Sequence, residues 1–102
     1  MIYYLDDLTI DIAKKKVIRS HECLKVSGLN FQFLSFMLTQ GTDVVTFEVL
    51  IEGVWSPAIV NEDTVTQRVR LLRSALGENR HNPRYIRSVR GQGYQLVTQA
   101  KP

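Results

Sequence analysis

The sequence predicts an α+β domain: strands first, three helices next and a hairpin last. Three observations carry this reading. Residues 2–26 read as short strands, with strict apolar–polar alternation over Leu8–Ile12. Residues 31–76 change to a helical period. Residues 84–97, RYIRSVRGQGYQLV, return to strand composition around a G-x-G. At 102 residues the chain supports one domain with one core. Its expected parts are an N-terminal sheet over 1–27, a three-helix core over 29–76 and the hairpin over 84–98.

Each element has its own justification. Ile2–Leu5 is rich in strand formers, and Leu8–Ile12 places its apolar residues on one face. Val17–Arg19 and Leu24–Val26 continue an antiparallel meander with one wet face, joined through Ala13–Lys16 and Ser20–Glu22. A first helix follows Ser27-Gly28, with Asn30 as its cap, Phe31, Leu34, Met37 and Leu38 on its buried side and Gly41 as its stop. Thr46 caps a second helix, Phe47–Trp55, which carries Phe47, Leu50, Ile51 and Val54 on one stripe and ends at Ser56-Pro57. The third helix starts near Asp63 or Thr64 after a loop over 58–62. Its residues Val65, Val69, Leu72 and Leu76 fall within about 60° of each other at 100° per residue, a tight buried stripe. Gly77 closes it, and a loop over 78–83 leads to the hairpin.

Charge is segregated along the chain. Residues 1–63 hold five Lys/Arg against nine Asp/Glu, a net of −4; residues 64–102 hold eight against one, a net of +7. Seven of those eight cations are arginine: Arg68, Arg70, Arg73, Arg80, Arg84, Arg87 and Arg90. Arginine's planar fork suits phosphates and base edges, so a polyanionic partner is one reading. A solvated basic face is the other. The single Cys23 excludes an intrachain disulfide and fits a reducing compartment, so a cytoplasmic location is expected. Two histidines and one cysteine do not make a structural zinc site, and neither a metal nor a cofactor is expected. No apolar run approaches the roughly 18 residues that span a bilayer, and the start lacks the basic region of a secretory signal.

The chemistry concentrates in the last 40 or so residues. Opposite its core stripe the third helix presents Gln67, Arg70, Leu71 and Ser74, flanked by Arg68 and Arg73. Glutamine and arginine read adenine and guanine edges in a major groove. No acidic residue lies between Thr64 and Leu76, whereas an ordinary solvated face mixes charge signs. The G-x-G resembles a phosphate-binding loop, but a dinucleotide loop needs a helix after it, and here strand-like Tyr94–Val97 follows. A hairpin turn accounts for both Gly91 and Gly93 by their tolerance of positive φ, and it puts Arg90 at the tip. The first arm has Ile86 and Val89 at different parity, consistent with a bulge or with burial on both sides. Elsewhere His21 and His81 read as exposed, Cys23 as a buried or half-buried filler, Trp55 as an anchor and Phe31, Phe33 and Phe36 as core. Asp6, Asp7 and Asp11 have no histidine or other partner placed for catalysis, so no enzyme is expected.

Three segments together carry a resemblance: VVTFEVLIEGVW over 44–55, TVTQRVRLLRSAL over 64–76 and YIRSVRGQGY over 85–94. They resemble the winged helix-turn-helix effector domain of the OmpR/PhoB family of bacterial transcription regulators. The likeness covers residues 2 to about 97. It implies an N-terminal four-stranded antiparallel sheet, three helices and a C-terminal β-hairpin wing. It further implies a domain that binds double-stranded promoter DNA. Thr64, Gln67, Arg68, Arg70, Leu71 and Ser74 of the third helix would face the major groove. Arg90 would reach the minor groove, Arg87 and Ser88 would lie near the DNA backbone, and Thr46 would meet a phosphate. The loop formed by Ser56, Pro57, Ala58, Ile59, Val60, Asn61 and Glu62 corresponds to one that touches RNA polymerase, and pairing of copies on DNA would be usual. Two positions depart from the family pattern: Phe33 stands where a Glu is usual, and Leu71 where a second arginine is common. Asn82–Tyr85 resembles the ToxR/CadC-like branch, in which a linker and a transmembrane helix follow the domain. The effector domain of a two-component response regulator would share these features, as would a winged module that docks on protein.

Overall fold

The computed structural model describes residues 1–78 and 81–102. The chain folds in the expected order. Strands β1 (Ile2–Leu5), β2 (Leu8–Asp11), β3 (Lys16–Arg19) and β4 (Glu22–Leu24) form an antiparallel sheet in sequence order. Helix α1 (Leu29–Thr39) follows, then the short strand β5 (Val45–Thr46), helix α2 (Phe47–Leu50) and helix α3 (Glu62–Leu76). The hairpin of β6 (Ile86–Val89) and β7 (Gly93–Leu96) closes the fold, and β7 lies between β6 and β5 in a second sheet.

One core joins these layers. The period-two pattern places Leu5, Leu8, Ile10 and Val17 inward from the first sheet. Phe31, Phe33, Leu34, Met37 and Leu38 enter from α1, and Val65, Val69, Leu72 and Leu76 from α3. All four members of the α3 stripe are essentially inaccessible, as the spacing requires. Tyr85, Ile86, Tyr94 and Leu96 tie the wing to the same cluster.

Several boundaries differ from the sequence expectation. Strand β4 runs over Glu22–Leu24, earlier than 24–26, because Ser20 and His21 take φ of 51° and 67° and turn the chain in two residues. The pairing then sets Cys23 opposite Ile18, and Cys23 is exposed, not a core filler. Asn30 does not cap α1. The helix starts one residue before it, and the Asn30 Oδ1 instead accepts from Arg68 Nη1 at 3.0 Å. The second helix is not uniform over 47–55. After Leu50 it widens into a π-type turn over Ile51–Trp55, where Ser56 N–H donates to Ile51 C=O at 3.1 Å. Gly53 lies in this turn, and a Cβ there would come within 2.3 Å of the Phe36 ring. Trp55 does anchor the end of this segment, edge-on to Phe33 with ring centroids 6.2 Å apart.

Helix α3 begins at Glu62, ahead of the expected start, because Asn61 supplies the cap. The Asn61 Oδ1 accepts from the Thr64 backbone N–H at 3.0 Å and from the Thr64 hydroxyl at 3.1 Å. Glu62 therefore belongs to the first helical turn, where its charge suits the helix dipole, and not to the preceding loop. At the other end Gly77 has φ 70°, the left-handed stop that its sequence position predicts. The loop expected over 78–83 includes Asn79 and Arg80, which lie outside the described residues.

The hairpin has no bulge: Ile86 pairs with Leu96 and Val89 with Gly93 in continuous register. Its two glycines serve different ends. Gln92 N–H closes the turn onto Val89 C=O at 3.0 Å, and Gly91 there has φ 73°, so the turn requires its freedom. Gly93 is a strand residue without positive φ. It is needed because a Cβ would lie 2.0 Å from the Val45 carbonyl oxygen, where β5 crosses close to β7.

Candidate nucleic-acid interface

The wing is held against α3 by a small set of side chains. Glu78, its side chain 0% exposed, accepts from the backbone N–H of Arg84 at 2.8 Å, from that of Tyr85, and from that of Ile86 at 3.1 Å. It thus satisfies three donors at the entry to β6. Its other oxygen lies 3.6 Å from Arg73 Nε. Arg73 in turn donates from Nη2 to the Ile86 carbonyl at 3.0 Å and to the Ser88 hydroxyl at 3.1 Å. The guanidinium also sits 5.9 Å over the Tyr94 ring. Tyr94 meets Phe47 edge-on at 5.8 Å, and its hydroxyl reaches Thr66 Oγ1 at 3.5 Å.

A second group fixes the wing base to the first sheet. Arg19 donates to the Leu76 carbonyl at 2.7 Å and to the Tyr85 hydroxyl at 3.3 Å. The Tyr85 hydroxyl donates to Asp7, and Arg84 bridges Asp6 and Asp7 at 2.8 and 3.1 Å. Burial pushes the Asp7 carboxyl up, but the Tyr85 hydrogen bond and the Arg84 charge outweigh it and hold Asp7 below the usual carboxylate range. Burial, reinforced by the bond to Asp7, raises the Tyr85 phenol.

These contacts leave a cleft of about 660 Å³ between α3 and the wing. Thr66, Arg70, Arg73 and Ser74 line it from the helix, Ser88 and Tyr94 from the wing, with Glu78 and His81 at its end. The exposed face of α3 beside it carries Gln67, Arg70, Leu71 and Ser74. Cross-strand pairing puts Ser88 beside Tyr94 on the cleft side, whereas Arg87 pairs its side chain with Gln95 at 3.3 Å on the other face.

The arginines divide into two kinds. Arg19, Arg68, Arg73, Arg84 and Arg87 are engaged within the fold. Among the described residues, Arg70 and Arg90 have no hydrogen-bond or ion-pair partner, and both are exposed. One lines the cleft from α3, and the other stands at the wing turn. The folded chain therefore presents one unpaired guanidinium on the cleft, that of Arg70, and another at the wing turn, that of Arg90.

Of the sequence-predicted residues, Arg70, Ser74 and Ser88 line this cleft, and Gln67 and Leu71 stand exposed beside it on α3. Arg68 is the exception on α3: it is half-buried and reaches back to Asn30 on α1. Thr46 spends a lone pair on the Val49 N–H at 3.2 Å, and Thr64 donates its hydroxyl to Asn61. Ser56, Pro57, Ala58 and Ile59 stand exposed in the turn before α3, followed by half-buried Val60 and the cap Asn61. Sequence reasoning missed Glu78, Thr66 and Tyr94. Glu78 had a signal, being the one acidic residue between positions 64 and 102. Tyr94 stands directly after the G-x-G. Nothing in local pattern singles out Thr66.

Comparison with known proteins agrees with this fold. Residues 21–96 match the family model described as transcriptional regulatory protein, C terminal. The phosphate regulon transcriptional regulatory protein PhoB of Escherichia coli K12 is 33% identical over 95 residues, covering 92% of this chain and 41% of that protein. The chain thus spans less than half the length of that relative. Among solved structures, the DNA-binding domain of E. coli CadC superposes with a TM-score of 0.86 at 24% identity, covering 98% of this chain and 94% of that one. The response regulator AdeR DNA-binding domain, solved in complex with an intercistronic region, superposes with a TM-score of 0.78 at 26% identity, covering 93% and 98%.

Proposed function

The chain belongs to the family of transcriptional regulatory protein C-terminal domains, and from that premise we propose that it binds double-stranded promoter DNA sequence-specifically and regulates transcription without a chemical step. In this reading α3 enters the major groove and the wing turn brings Arg90 to the adjacent minor groove. The observation that carries it is the sorting of the arginines. Among the described residues five are engaged within the fold, while Arg70 on the cleft and Arg90 at the wing turn keep no internal partner. A polyanion supplies a partner for each. Gln67 and Ser74 on the same helical face supply hydrogen bonds to base edges. In this reading Thr46 and Ser88 meet backbone phosphates, and Arg87, on the outer wing face, serves there only if the DNA bends toward it.

The loop before α3 is left for a protein. Ile59 is 99% exposed, an apolar side chain the core does not use. We place RNA polymerase contact there, in keeping with a promoter-bound regulator.

A salt series tests the reading. Each phosphate neutralised contributes about −0.9 to the slope of log K against log salt. Binding by both free arginines predicts a slope of about −2 or steeper, and Arg90→Ala should flatten it by about one. A slope near zero for the unaltered chain overturns the proposal.

A further inference from the structure

Leu71 is the apolar side chain on the polar face of α3. It is 39% exposed and belongs neither to the core cluster nor to the half-buried side chains packed around it. At 100° per residue it lies one turn beyond Gln67 and just short of Ser74, beside Arg70. Three hydrogen-bonding side chains thus surround one bare isobutyl group on the face that α3 turns away from the core. Nothing in the fold rewards it there: an alanine would fit the helix as well.

The base edges of a major groove offer one apolar group, the C5-methyl of thymine. We propose that Leu71 is a specificity residue that selects thymine by packing on that methyl, within a site whose other contacts come from Gln67, Arg70 and Ser74. This rests on the DNA-binding reading above and narrows it. A leucine has no donor or acceptor for guanine or adenine, and it leaves the cytosine amino group unpaired if it covers that base. Its discrimination is therefore against all three alternatives, through one contact. Exposure before binding and burial after it also make the contact costless to the free fold.

The test separates the two layers. Duplexes bound by the intact 102-residue chain are selected from a random pool, and each thymine of the selected site is then replaced by deoxyuridine, which removes only the methyl. At one or two thymines the affinity should fall about fourfold, the worth of one buried methyl group. Leu71→Ala should bind the thymine duplex as weakly as the unaltered chain binds the uracil one, and should itself be indifferent to the exchange within twofold. Leu71→Met should restore the methyl preference, which a merely structural role would not predict. Tight binding that ignores uracil at every position, a selected site with no fixed thymine, or an equal methyl effect in Leu71→Ala overturns the inference while DNA binding stands. Failure to bind any duplex overturns both.

Discussion

Glu78→Ala should lower the stability of the fold by about 3–5 kcal/mol, the cost of breaking a buried charge network from one side. The loss has two parts. Three backbone donors, on Arg84, Tyr85 and Ile86, lose their acceptor at the entry to the wing, and buried unpaired donors cost about 1–3 kcal/mol each before relaxation. Arg73 also loses the carboxylate of Glu78, although its bonds to Ile86 and Ser88 remain. Urea unfolding measures the change. Glu78→Gln keeps one acceptor oxygen and the side-chain shape, so it should cost less than half as much. Equal stability for Glu78→Ala and the unaltered chain would show that the wing does not depend on this carboxylate.

Gly93→Ala should be comparably severe for a different reason. The new Cβ would sit 2.0 Å from the Val45 carbonyl oxygen and 3.0 Å from the Thr46 Cα. Neither atom belongs to a flexible side chain, so β5 and β7 must separate. That breaks the pairing of Val45 with Tyr94 and of Thr46 with Gly93. A loss of about 3 kcal/mol or more is expected, at the high end for overpacking. Gly91→Ala is the matched control. No atom lies within 4 Å of its Cβ, and only the positive φ opposes it, so about 1 kcal/mol is expected. Thermal or urea unfolding of the two variants decides, and equal effects would contradict the close approach at Gly93.

These two residues show where the sequence was legible and where it was not. The α3 stripe could be read because its spacing is a one-dimensional pattern, and all four residues are buried as the pattern requires. The Thr46 and Gly77 caps were readable for the same reason, since capping is a short-range requirement. Gly93 was misassigned because two glycines in a G-x-G look alike in sequence. The need at Gly93 comes from a strand some 50 residues away, which no local rule sees. Asn30 failed in the same way: its side chain answers to Arg68 on another helix. Charge counting gave the basic half of the chain but not the division of labour within it. Arg68, Arg73 and Arg84 are engaged within the fold, and only their partners reveal this.

The central claim is that α3 reads a major groove while Arg90 occupies the neighbouring minor groove. Methylation interference on a selected duplex tests it most directly, because dimethyl sulfate marks guanine N7 in the major groove and adenine N3 in the minor groove. The account predicts interference at N7 over the segment under α3 and at N3 immediately beside it. Arg70→Ala should weaken the first signal, and Arg90→Ala should erase the second while leaving the first. Interference confined to one groove, or an N3 signal that survives Arg90→Ala, would contradict it.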